Sequence, residues 1–395
     1  MTRRTVMVGG AAAGVALANA VSAPAILAAS TAPLKIGLLN TFTGPAAAVG
    51  IWNLNGVKVY LDEVKGRFAG RKVELLKEDD QLNPQVGLEK ARRFVERDNV
   101  DMIVGIQGSN VALAVMNYVK QAKAFLLVSG AGADEITWQR LPYVFRSSLC
   151  SWQVCHPFAE WIYDHLAKEM VVVSEDYVAG HDIAAEISKP FVAKGGKITK
   201  TIYVPLTVTD YSPYFTEIRS LDPKVVYDFS AGGSHTIRFV QQWAQSGIKA
   251  QLCGFAGLVD STTAKQQGRA ALGVITSTIY SDTLDNPVNR KFAPAYRAKN
   301  KDYPNLFSDY GYVSMQVIDE TLKATDGNAA NKHKLAEAMA KVQFEAPRGP
   351  FRFDPVTHNP IEDVYIVKGE EQGGRFVSAV IGTIKEVRQP ATKNG

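Results

Sequence analysis

Two short loops hold the residues of this chain best suited to grip an anion. Gly105-Ile106-Gln107-Gly108-Ser109-Asn110 and Ser129-Gly130-Ala131-Gly132-Ala133 are rich in small residues, and each offers a serine hydroxyl. Each falls between an apolar run and a helical pattern, so N–H groups at a helix start and a hydroxyl can converge on negative charge. One such loop is equally a tight turn with an N-capping serine; two in successive units raise the anion-binding reading to equal standing. Covalent chemistry finds less support. Neither Ser109 nor Ser129 lies in a Gly-x-Ser-x-Gly elbow, and no His has an evident tie to either. The His residues form no metal-ligand spacing with Cys150, Cys155 or Cys253, so neither metal nor cofactor is expected. Cys150 and Cys155 read as buried apolar thiols; the alternative bridge is unfavourable if both sit on one helix.

Such loops need a scaffold. Leu34-Lys35-Ile36-Gly37-Leu38-Leu39 reads as a buried strand, broken by Thr41-Phe42-Thr43-Gly44-Pro45 before a helical pattern over about 47–64. Strands are predicted at 72–78, 100–105 and 124–129, with helices ending near Arg97 and over 111–122 between them. The alternation restarts with a strand at 170–174 and a helix over about 182–194, ended by Gly195-Gly196. Strands at 198–204, 225–229 and 251–255 follow, with a helix over 234–246 closing at Gly247. The pattern predicts two α/β halves, each a mostly parallel sheet covered on both faces. The chain is expected to pass between them near 145–151, 276–281 and 347–349. Ligands of such sheets sit outside the carboxyl ends of the strands, where both anion loops fall.

The amino terminus reads as an export signal. Arg3 and Arg4 precede an apolar stretch of small residues over 6–18 and a small-residue zone around Ala28, Ala29 and Ser30. That run is too short and too rich in Ala and Gly to span a bilayer. The paired arginines leave a twin-arginine route open beside general secretion, and no Cys follows for a lipid anchor. The net charge of +5 drops by two once Arg3 and Arg4 are cleaved away, and the remaining Lys and Arg are scattered. No nucleic-acid partner is expected from that distribution. At 395 residues and 46% hydrophobic, the chain has material for two cores, and no later segment reads as a membrane span.

Several motifs, in order along the chain, resemble one family. Thr43-Gly44-Pro45 with Gly50 and Asn55-Gly56, then Val104-Gly105 with Ser109, are similar to the branched-chain amino-acid binding proteins of ABC transporters. Tyr143-Val144-Phe145-Arg146, Asp176-Tyr177 with Gly180, and Gly349-Pro350-Phe351-Arg352-Phe353-Asp354 extend the resemblance over essentially the whole mature chain. It implies a type I periplasmic-binding fold: two Rossmann-like lobes with parallel central sheets joined by a three-strand hinge. Residues 1–30 would be the signal, 33–147 with 281–347 one lobe, 148–280 with 348–388 the other, and 389–395 a disordered tail. It implies a periplasmic protein rather than an enzyme, closing on a small ligand and delivering it to permease subunits and their ATPases. A soluble ligand-sensing co-receptor is the alternative.

By the same resemblance, Ser109 and the backbone of Ala131 and Ala133 hold a ligand carboxylate. Gln107, Gly108, Ser129 and Gly132 complete those two loops, and Tyr177 and Gly232 lie across the cleft. Departures shape the ligand. Ala133 replaces a Thr, leaving its amide alone. Gly254-Phe255-Ala256-Gly257 stands where amino-acid binders carry a Gly-Pro-Glu-Gly-like turn, so Ala256 occupies the place of the ammonium's counter-ion. A buried ammonium left unpaired costs about 3–5 kcal/mol. Val49 replaces a Trp, and an aromatic near Gly232 is missing. The expected ligand is an aromatic or other bulky organic acid lacking an α-amino group, with Phe42, Trp52 and Phe255 as ring contacts. Asp260 or Asp228 in the counter-ion role would restore an amino-acid, amide or urea ligand, though both read better as loop caps. Asp309, beside Tyr310 and Tyr312, reads as a surface residue or a contact to the ligand's far end.

Overall fold

The computed structural model describes residues 32–44 and 46–392, with Met1, Thr2 and Thr5. The expected signal at 1–30 thus lies almost wholly outside the described residues. In the first half, β1 (Leu34–Asn40), β2 (Arg67–Phe68), β3 (Arg71–Asp79), β4 (Met102–Gly105), β5 (Leu126–Val128) and β6 (Val144–Arg146) form one sheet. Its helices are α1 (Ala47–Glu63), α2 (Pro84–Glu96), α3 (Ser109–Ala122) and α4 (Glu135–Trp138). The strand order is β2-β3-β1-β4-β5-β6, parallel except for β2. The short strands β4 and β5 are buried throughout because helices cover both faces, hence their uninterrupted apolar sequence.

The chain continues through α5 (Ser151–His165), β7 (Glu169–Glu175), α6 (Val178–Ala193), β8 (Lys197–Val204), α7 (Ser212–Leu221), β9 (Val225–Phe229), α8 (Ser234–Ser246), β10 (Gln251–Gly254), α9 (Ser261–Gln267) and β11 (Ile275–Thr278). Three helices follow, α10 (Pro287–Asn300), α11 (Leu306–Ala324) and α12 (Lys332–Met339). The strands β12 (Gln343–Ala346), β13 (Gly349–Phe353), β14 (Pro360–Gln372) and β15 (Arg375–Val387) close the chain. The second sheet runs β12-β13-β14-β11-β10-β9-β7-β8, with β15 beside β14. Strands β8, β7, β9, β10 and β11 are parallel, whereas β14 is antiparallel to β11. Among the described residues, no helix is long and apolar enough to cross a membrane.

Helix α11 returns to the first half and lies against α1 at backbone distance. A Cβ on Gly56 would stand 1.8 Å from the Ser308 carbonyl oxygen, and one on Gly311 would stand 2.0 Å from that of Asn53. Only glycine permits that approach, which accounts for Gly56 in the Asn55-Gly56 pair. Where the halves join, Arg348 is fully buried, with Asp309 of α11 at 2.5 Å and Glu362 of β14 at 3.0 Å. It also donates to the Ser147 carbonyl at 2.9 Å. Asp309 is therefore not a surface residue: its carboxylate is needed inside, where the guanidinium has no water to solvate it.

The tail also differs from expectation at its start. Gln389 is buried, donating to the Asp134 carboxylate at 2.9 Å and accepting from the Thr137 hydroxyl at 2.6 Å. Trp138 and Arg140 donate to the Pro390 and Ala391 carbonyls. Residues 389–391 thus dock on α4, because the buried polar groups there need partners that β15 itself does not provide. All three cysteines are buried and unbridged, with Cys150 preceding α5 and Cys155 inside it.

Candidate functional site

Among the parallel strands of each sheet the chain order reverses once, and the crevice at such a point is where α/β proteins receive ligands. In the first sheet it lies between β1 and β4, paired through Leu39 and Gly105. The loops beyond them carry Phe42 and Gln107–Gly108–Ser109. In the second sheet the reversal lies between β7 and β9, where Ser174 pairs with Phe229. The loops there carry Tyr177 and Gly232.

On the first side, Ile106 takes a positive φ of 62°, unusual for a β-branched residue, and follows Gly105 at 116°. The Ile106 N–H donates to Leu39 at 2.6 Å, and its carbonyl accepts from Ala131 at 2.9 Å. The strained turn is thus held from both neighbouring strands, and it delivers Ser109 as the first residue of α3. The Ala133 N–H points at the Ser109 hydroxyl from 3.2 Å, so the two anion loops meet there. Ala131 departs from expectation. It has no exposed surface and its amide serves Ile106, so it supports the turn instead of offering an N–H.

Behind this point Arg146 is fully buried and donates to the carbonyls of Ala131 at 3.2 Å and Ala133 at 2.8 Å. Its remaining bonds go to Asn359 at 2.8 Å and Thr137 at 2.6 Å, all neutral acceptors. A cation therefore stands beneath the anion loop, with no direct carboxylate partner among the described residues. Ser129 is buried and accepts from Asn53 at 3.3 Å, while the Gly132 carbonyl accepts from Ser151 at 2.9 Å. The side chain of Gln107 lies over Gly130, where a Cβ would meet its Oε1 at 2.4 Å; that oxygen is buried and has no hydrogen-bond partner among the described residues. Gly108 is buried below Leu82. The Phe42 N–H and the Thr43 hydroxyl donate to Asp79, and Thr41 donates to Asp80, which ties down the loop beyond β1. The Lys77 ammonium sits 4.7 Å from the Phe42 ring centre. Trp52 stacks on Phe307 of α11, ring centres 6.0 Å apart, consistent with packing.

The second side is aromatic. Tyr177 stacks on Phe229 at 6.1 Å, and Phe255 meets Phe229 edge-on at 5.3 Å. Ala256 follows Phe255, with Gly257 at φ 89° completing the turn. Gly232, at φ 92°, leads into α8. Asp260 caps α9, accepting from Thr262 and Thr263 at 2.8 and 2.9 Å, so its carboxylate is committed to the helix. Burial pushes it up to about 6 despite those bonds. Asp228 is buried with one hydroxyl partner, Ser230 at 2.9 Å, and burial drives its pKa well above the usual range. Phe229, Glu175 and His235 were not singled out in the sequence. Phe229 ends an apolar strand and looks like core. His235 and Glu175 lie sixty positions apart, so no local spacing could join them.

The amino-acid sequence over residues 33–375 matches the profile of the family described as Periplasmic binding protein. The chain belongs to this family. Among relatives, "Leu/Ile/Val-binding protein homolog 6" of Brucella melitensis biotype 1 is 28% identical, over 93% of this chain and 96% of the relative. An ABC transporter substrate-binding protein from Sphaerobacter thermophilus superposes with a TM-score of 0.87 at 32% identity, covering 91% of this chain and all (100%) of the other. A solute-binding protein of an ABC transporter from Rhodopseudomonas palustris BisB5, solved in complex with 3,4-dihydroxybenzoic acid, gives 0.86 at 29% identity, covering 91% and 99%. This periplasmic binding protein is thus the substrate-binding component of an ABC transporter, of the type I fold, and not an enzyme. Among its described residues, no group of three or more His, Cys, Asp or Glu is placed to hold a metal ion.

Proposed function

We propose that this periplasmic binding protein captures an aromatic carboxylate lacking an α-amino group and hands it to a permease with its ATPases. One observation carries the reading: among the described residues, the carboxylates around Tyr177 and Phe255 are already engaged, Asp176 by His181 at 2.8 Å. Ala256 has none, Asp260 caps α9, Asp228 is buried with Ser230, and Glu175 is taken by His235 and the Ala231 N–H. Tyr177, Phe229 and Phe255 instead give an aromatic wall suited to a ring. At the other end the Ser109 hydroxyl, whose oxygen takes the Ala133 N–H at 3.2 Å, is left to donate its own O–H to the ligand carboxylate, with Arg146 beneath. The two halves enclose the ligand as they close, with residues 389–391 docked on α4 of the first. The R. palustris protein solved with 3,4-dihydroxybenzoic acid supports this choice of ligand class.

A thermal-shift screen tests it on protein stripped of ligand by unfolding and refolding. Ligand at about 100 times its Kd adds roughly 2.7 kcal/mol to stability. Upward shifts with benzoate-like and phenylpropanoid acids are expected; shifts with branched-chain amino acids, amides or urea alone would overturn the ligand class and leave the transport role standing. Ser109→Ala should weaken binding of the acid by about 1–3 kcal/mol, the loss of one hydrogen bond to a charged group. An unchanged Kd in a calorimetric titration would remove Ser109 from the site.

A further inference from the structure

At the reversal point of the second sheet stands a polar device that neither the fold nor the carboxylate end requires. Glu175 ends β7, has no exposed side-chain surface, and takes two donors. The Ala231 N–H, from the loop after β9, reaches its Oε2 at 2.8 Å, and the His235 Nδ1, from the first turn of α8, reaches its Oε1 at 2.6 Å. The pair therefore bridges the mouth of the crevice between β7 and β9, beside the wall of Tyr177 and Phe229. Both Glu175 oxygens are committed, and they fix the imidazole ring in place. The His235 side chain keeps 15% of its surface open, and its Nε2 has no hydrogen-bond partner among the described residues.

We infer that His235 reads an oxygen substituent on the ligand's ring, at the end away from the carboxylate, so that this protein prefers hydroxylated aromatic acids. The inference rests on the aromatic-acid reading above and narrows it. With Nδ1–H held by Glu175, a neutral ring offers the Nε2 lone pair, which accepts from a phenolic O–H. The hydrogen bond to Glu175 raises the pKa of His235, and the protonated ring donates from Nε2 to the phenolic oxygen instead. Either state needs an oxygen partner. An unsubstituted ring brings only C–H to this atom and, on closure, strips its water without replacement, the arrangement that lets a buried polar site reject an analogue lacking a hydroxyl. Of the nearby groups, Arg238 is occupied with the Val208 carbonyl at 3.1 Å, and Asp228 is buried with Ser230.

Calorimetric titration with benzoate, 3-hydroxybenzoate and 4-hydroxybenzoate tests this in the refolded protein and in His235→Ala. His235→Phe, which keeps the ring volume, serves as the second variant, and thermal melts of the unliganded proteins identify which is folded. The unaltered protein should bind one hydroxybenzoate about ten-fold or more tighter than benzoate. Either folded variant should lose that preference to within about three-fold through weaker hydroxybenzoate binding, with benzoate bound no more weakly than by the unaltered protein, since no Nε2 remains to be stripped of its water. A preference that survives in the variants overturns the inference, as does equal binding of benzoate and both hydroxybenzoates by the unaltered protein. In both cases binding of benzoate leaves the aromatic-acid reading intact. Failure of all three acids to bind removes that reading and this one together.

Discussion

Arg348→Met is expected to cost the folded protein about 3–5 kcal/mol, the penalty for leaving buried charge without its partner. The guanidinium has no exposed surface and faces Asp309 at 2.5 Å and Glu362 at 3.0 Å, with the Tyr310 ring 5.3 Å away. Methionine fills similar volume but leaves two buried carboxyls facing each other. Burial already pushes Asp309 up to about 7 even with Arg348 beside it, and Glu362 is raised as well. These acids bind protons more tightly folded than unfolded, so their ionisation weakens the fold as pH rises from the ordinary carboxylate range through the raised values. Without Arg348 both would rise further. The deficit should therefore be larger at pH 8 than at pH 5, which urea unfolding at the two values measures. A loss below about 1 kcal/mol at pH 8 would mean that water reaches the cluster.

Ala256→Glu is expected to weaken binding of an aromatic acid by several kcal/mol, about 3, because a second anion faces the ligand across a closing cleft. The substitution adds its carboxylate next to Phe255, where Asp260 is too committed to α9 to offer a precedent for free negative charge. Titration of the variant with the best acid from the thermal screen gives the answer. Unchanged affinity would show that Ala256 does not face the ligand, and the aromatic wall would need another position.

The alternation of strands and helices was readable because strands covered on both faces leave long apolar runs, as at Val225–Phe229, and helices end on glycines such as Gly247 at φ 73°. Ser109 and Ala133 could be placed because loops at strand ends follow directly from that alternation. Their meeting at 3.2 Å could not. What stayed hidden is long-range polar pairing. Asp309 looked like a surface acid on a helix because Arg348 lies in a distant connection; Asp260 read better as a loop cap, and it caps α9. Ala131 had its amide turned to Ile106 by a backbone strain that residue types alone do not announce. Gln389 and its neighbours fell in the stretch read as a disordered tail, yet α4 and the residues flanking it supply partners.

The buried thiols of Cys150, Cys155 and Cys253 make the folded molecule silent towards thiol reagents at its surface. A single cysteine introduced on the rim of the cleft would then be the sole attachment point for an environment-sensitive dye. The protein could be turned into an optical sensor of its own ligand without first engineering any native residue away.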